Sequence, residues 1–197
     1  MRLLRGLNSP RKIQDYLDAL PVNFEPDGDT CLSPRRVMRE GRAHCIEGAL
    51  FAALAFRVNG QRPLILDLTS SRHDLDHVVA LFRQHGCWGA ISKTNHAVLR
   101  YREPVYRTLR ELVLSYFHEY FDGKGFKTLR GYSPAIDLSR FDRQNWMTNE
   151  KNNWFVAQYL CDVTHLPLLT TPQIATLRRA HPLEIKAGEI TEWKKKR

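Results

Sequence analysis

One stretch constrains this chain more than any other: Gly41-Arg-Ala-His-Cys-Ile-Glu-Gly-Ala-Leu-Phe-Ala-Ala-Leu-Ala-Phe56, in which a single cysteine stands where an apolar run begins. From Glu47 onward the run is rich in Ala, Leu and Phe, holds one glycine and no proline, and predicts a helix of about three to four turns. Val58-Asn59-Gly60 is its stop signal, with a glycine free to adopt a left-handed conformation. A thiol in the first turn faces N–H groups without intrahelical partners and the positive end of the helix dipole, both of which favour thiolate over thiol. Cys45 is therefore a candidate nucleophile. The plainer alternative, a small buried hydrophobe, fits a random cysteine better, so the rest of the chain has to decide. His44 is read as a surface residue directed away from the thiol, and Glu47 as a simple complement to the dipole.

The chain has 197 residues, 43% of them hydrophobic, enough for one ordinary core and too few for two. The expectation is a single domain over 1–197, with a core at about 30–122, a C-terminal extension over 123–190 and a basic tail over 191–197. Arg57, Asp67, Arg83 and Arg100 interrupt every candidate membrane span, because a span needs about 18 to 20 unbroken apolar residues. Met1 to Pro10 lacks the apolar centre of a secretory signal, so a cytoplasmic protein is the default. Cys31, Cys45, Cys87 and Cys161 are scattered, with no CxxC pair, which argues against a zinc site and a disulfide framework. His73, Asp74, Asp76 and His77 form a possible metal cluster with no second element to support it; no metal or cofactor is expected. A formal charge of +9 raises the question of nucleic acid. The charge is spread out, and its one dense run, Lys194 to Arg197, reads as a solvated tail.

Along the chain, Ser9-Pro10 opens a helix with Ile13, Tyr16, Leu17 and Leu20 at helical spacing. Residues 21–34 read as a loop, 35–40 as an amphipathic turn, and Arg62 to Thr69 as a buried strand. A polar loop then delivers His77. Val78 to Arg83, the turn His85-Gly86 and Trp88 to Ser92 read as a hairpin. With a two-residue turn Gln84 pairs with Cys87, His77 falls opposite Thr94, and Ser92 to Asn95 come within reach of the imidazole. Glu103-Pro104 is taken to open a helix over 105–120. Residues 126–153 look irregular, with Trp146 as an anchor; 154–161 fits strand or helix; Thr171-Pro172 caps a last helix to about Ala180.

A nucleophilic thiol needs a base, and the base an orienting group. The order Cys45 at a helix start, His77 at a strand start and a polar residue on the next strand resembles the transglutaminase-like superfamily. The matching features are Cys45 with Ala49, Ala52 and Ala53, the Asp76-His77-Val-Val strand, and Gly86-Cys-Trp88, all within about residues 40–95. The resemblance implies an α+β, papain-like fold, in which the nucleophile helix packs on a small antiparallel sheet, with extra C-terminal helices here. It also implies an aspartate four residues beyond the Trp, where this chain has Ser92. Serine accepts a hydrogen bond but carries no charge, and Asn95 is the alternative, since asparagine fills this role in papain-like proteases.

The expected function is that of a cysteine-dependent amide hydrolase or acyltransferase on a protein or peptide substrate, with Cys45 as nucleophile, His77 as base and Ser92 or Asn95 as its orienting residue. The Cys45 N–H is one expected oxyanion donor and Asn23 a second; Trp88 is placed at the substrate. The alternative is a catalytically weak or inactive interaction module that binds an acidic partner through its basic surface. Nucleic acid is disfavoured, because the basic residues do not cluster among exposed aromatics.

Overall fold

The computed structural model describes residues 1–194. After a short helix α1 (Arg2–Gly6), Ser9 caps α2 (Pro10–Ala19), accepting from the Lys12 amide, and Ser33 caps α3 (Pro34–Glu40), which ends on Gly41 at φ 65°. Both helices begin with proline at a position where its missing N–H costs nothing. Helix α4 (Cys45–Val58) is buried from Ile46 to Phe56. A helix apolar all round has to be enclosed on every side. Here α1, α2 and α3 cover one side, and strands β1 (Leu64–Ser70) and β2 (His77–Gln84) the other.

The hairpin from β2 into β3 (Cys87–Ile91) has the expected register: Gln84 pairs with Cys87, Arg83 with Trp88 and Ala80 with Ile91. His85 and Gly86 form its turn with φ of 51° and 79°. The ladder stops at Ile91, so His77 and Thr94 do not pair across it.

Beyond the hairpin several expectations are corrected. Residues 102–106 form strand β4 (Arg102–Tyr106), not the start of a helix. Pro104 is tolerated because β4 is an edge strand that, among the described residues, pairs only with β3. The helix α5 (Leu109–Phe117) begins where Thr108 and Glu111 form a capping box. The stretch read as irregular contains β5 (Leu129–Tyr132), β6 (Ile136–Asp137) and a 3-10 turn at Leu138–Gln144. Trp146 is fully buried, as anticipated. The ambiguous segment is helix α6 (Trp154–Asp162), followed by β7 (Leu166–Pro167), α7 (Thr171–Ala175) and an unanticipated α8 (Pro182–Gly188) capped by His181.

The sheet is open and antiparallel, in the order β4-β3-β2-β1-β5-β7, with β6 also paired to β1. Its two faces have separate cores. Ile65, Val78, Ala80, Phe82 and Ile91 pack with α4, whereas Leu66, Val79, Leu81 and Ala90 pack with Leu112, Val113 and Tyr116 of α5. The protein is thus mixed α+β, with helices on both faces of one sheet. No helix among the described residues is long and apolar enough to cross a membrane. The expected tail does not begin at 191: Thr191 bridges to His96 and Trp193 hydrogen-bonds Asn95. Residues 195–197 lie outside the described residues.

Candidate active site

The site is built on the first turn of α4. Gly48 lets that turn lie against the strand end after β3; a Cβ there would stand 2.5 Å from Cβ of Lys93. Helix α2 holds the same segment from behind. The Gln14 amide donates to the Ser92 carbonyl at 2.8 Å and accepts from its N–H at 3.0 Å, and the buried Lys93 ammonium donates to the carbonyls of Leu17 and Leu20. The cysteine turn and Ser92 are therefore fixed to each other through α2.

His44 is the N-cap of α4, not an outward-facing surface residue. Its Nδ1 stands 4.0 Å from Cys45 Sγ, and its Nε2 3.0 Å from the Thr30 carbonyl oxygen. Glu47 does more than complement a dipole. It is fully buried and accepts from the His44 N–H, the Leu32 N–H, the Thr30 hydroxyl and the Asn23 amide. The spacing of an N-cap residue and a glutamate three positions on is a capping-box signature, the signal in the sequence that could have identified His44 as a cap.

His77, at the start of β2, places its Nε2 2.8 Å from Ser92 Oγ. Ser92 Oγ also lies 2.5 Å from the Leu99 carbonyl oxygen. A hydroxyl has one hydrogen and a carbonyl can only accept, so Ser92 donates to Leu99 and must accept from His77. The ring therefore carries its hydrogen on Nε2, which leaves Nδ1 as the basic nitrogen. An aspartate at 92 would set a carboxylate against the Leu99 carbonyl with no hydrogen between them, which accounts physically for serine at this position.

Burial alone would raise the Cys45 pKa. Hydrogen bonds and positive charge from His44 and His77 outweigh it and bring the thiol down to about 5. Burial likewise opposes the charged form of His44, but Cys45, Glu47 and the Thr30 carbonyl raise its pKa to about 9. Cys31, buried nearby, is pushed up to about 12 by burial and by the charges of Glu47 and Cys45. Two cysteines near one helix start thus have opposite character.

The thiol opens into a cleft of about 580 Å³ whose walls include Leu75, Leu99, Tyr120, Phe121 and Ile185. The structure brings Cys45, His77 and Ser92 together and leaves the other expected site residues out. Asn95 pairs through both ends of its amide with the Trp193 backbone, so it does not orient His77, although it lines the same cleft. Asn23 gives its amide hydrogens to Thr30 and Glu47, so it has no donor left for an oxyanion. Trp88 lies under Arg83 beside a different hollow with Gln61 and Leu64, not at the substrate cleft. His96, which also lines the cleft, bonds the Gly188 carbonyl. Among the described residues no group of three or more His, Cys, Asp or Glu side chains is arranged to hold a metal ion. No family model matches the chain, and no curated protein matches it.

Proposed function

We propose that this protein is a cysteine-dependent acyl hydrolase or acyltransferase with a transglutaminase-like, papain-like arrangement, acting on an amide of a protein or peptide. The observation that carries this reading is a thiol at a helix start, flanked by two imidazoles, one of which is fixed in a single tautomer by Ser92. The sulfur attacks the acyl carbon, and the carbonyl π electrons move to oxygen, where the Cys45 N–H at the positive end of α4 faces the developing charge. Collapse breaks the C–N bond, and the leaving nitrogen takes the proton that the thiol had given to an imidazole. Water, or an amine in a transferase, then attacks the thioester. Its proton passes to Nδ1 of His77, the C–S bond breaks, and the thiolate and the proton on imidazole are restored.

Ser92 can orient His77 without neutralising a charge on it, so it supplies only half of what a triad carboxylate does. The test is turnover of aryl-ester and peptide-amide substrates by wild type, Cys45→Ala and His77→Ala. Cys45→Ala should abolish turnover, and His77→Ala should slow it by about 10²- to 10⁴-fold, the usual share of a positioned acid or base. Turnover that survives Cys45→Ala would overturn the reading.

A further inference from the structure

We propose that His44, rather than His77, holds the proton of the resting Cys45 thiol, and that the carboxylate balancing this imidazolium is Glu47. The proposal rests on the acyl-transfer reading above for its consequences but is read out without substrate. In chemical terms the proton leaves Sγ for Nδ1 of His44, giving a thiolate and an imidazolium, with no other bond made or broken.

The placement of acceptors around His44 decides where the proton rests. Nε2 of His44 has three around it: the Thr30 carbonyl at 3.0 Å, Glu47 Oε1 at 3.3 Å and Glu25 Oε1 at 3.4 Å. That nitrogen keeps its hydrogen in every state, so Nδ1, facing the sulfur, is the nitrogen that takes up the thiol's proton. The cation that results sits beside two carboxylates. His77 has no such support, since its Nε2 faces an uncharged hydroxyl, and among the described residues His44 and His165 are the histidines in contact with a carboxylate. Glu47 is held by donors only, from Asn23, Thr30, Leu32 and the His44 backbone, a surrounding that fits a carboxylate and not an acid with a proton to give. The upward shift at His44, to about 9, agrees with this geometry.

The consequence is a division of labour. The charge-balancing carboxylate that Ser92 cannot provide acts from the other side of the sulfur, through a second histidine. His44 touches the reacting atom and is catalytic in that sense; Glu47 acts through it and is a positioning residue. His77 stays free to take the proton of the attacking water or amine, and that proton passes by way of the regenerated sulfur to Nδ1 of His44 as the resting pair re-forms. The other titratable groups that act on this thiolate or feel its charge are Cys31, Asp67 and Tyr120, and they are unchanged in the variants below.

The experiment is alkylation of Cys45 by iodoacetamide at pH 6, followed by mass spectrometry, in wild type, His44→Asn and His77→Asn. Asparagine is a good N-cap, so the first variant keeps the helix start. His44→Asn should slow alkylation by about tenfold or more as the thiol returns toward the free value of about 8.5, and His77→Asn by less than about threefold. The reverse order, or equal effects, overturns the proposal. Nitrogen-15 spectra of histidine-labelled wild type and Cys45→Ala give a second readout that needs no change at 44. His44 should be an imidazolium with both nitrogens protonated at pH 7 in wild type and lose that state in Cys45→Ala; a neutral His44 in wild type overturns the proposal. A His44-linked thiolate without turnover would sink only the acyl-transfer reading, and turnover with a His77-linked thiolate only this one.

Discussion

The Cys45 and His44 shifts run in opposite directions, and each has its own pH window. The folded-state pKa of Cys45 is depressed from 9.0 to about 5, so its contribution to stability is complete above the unfolded value and is lost as pH falls through about 5. That of His44 is raised from 6.5 to about 9, so its contribution is complete below 6.5 and is lost as pH rises through about 9. Wild type should therefore gain stability over Cys45→Ala between about pH 5 and 6.5 and level off from there to about pH 9, where the thiol's gain and the imidazole's loss oppose each other. Urea melts of both proteins across that range check this; a relative loss from pH 5 to 6.5 would contradict it. At this scale the sequence was legible where local rules decide. Cys45 follows from the helix start, and the hairpin register brings the stretch from Ser92 to Asn95 near His77 without choosing among its members. Asn23, Asn95 and Trp88 were misplaced because their partners are set by tertiary contacts; Asn95, for one, pairs with a residue 98 positions away.

Helix α4 does its work by docking closely, and Gly48 is where the docking is tightest. A methyl group there meets the Cβ of buried Lys93, whose own position is fixed by two carbonyls at the end of α2. The neighbour is the stem of an anchored side chain and has little room to give. Gly48→Ala should lower stability by about 1–3 kcal/mol, as overpacking of a well-filled core does, despite the better helix propensity of alanine. It should also slow turnover by moving the thiol away from His77 and Ser92. Thermal melts and the turnover rate measure both; an alanine variant as stable as wild type would contradict the close-docking account. Elements with strong local signals, such as α2, α4 and the hairpin, were readable from the sequence. Strands β5, β6 and β7 were not, because they have four, two and two residues, too few for periodicity to show. Strand β4 was hidden by Pro104, which only its edge position permits.

The whole molecule carries a formal charge of +9, yet the cleft at the thiol has the opposite character. Asp74, Asp76, Glu119, Asp122 and Glu189 line it. Glu119 is paired with Arg102, and the ammonium of Lys93, the one lining lysine among the described residues, is bonded to backbone carbonyls. The remaining carboxylates set a negative field at the mouth, and burial together with Asp74, Asp76 and the Cys45 charge pushes the Tyr120 phenol up. A cationic methanethiosulfonate should therefore modify Cys45 faster than an anionic one at low ionic strength, and the ratio should shrink as salt screens the field; a faster anionic reagent would contradict this. Charge sums could not have revealed the separation, because it arises from where the loop at 73–76, the end of α5 and the helix α8 meet. The other cysteines give the internal control for the central claim: Cys161 is exposed, but burial and the charges of Asp67, Asp76 and Asp162 raise its pKa. The most direct test is peptide-resolved mass spectrometry of the protein mixed with p-nitrophenyl acetate at neutral pH. The account predicts one acetyl group per chain, on Cys45, which forms rapidly and is then lost to water. An unmodified Cys45, or acetylation shared evenly with Cys87 and Cys161, would contradict it.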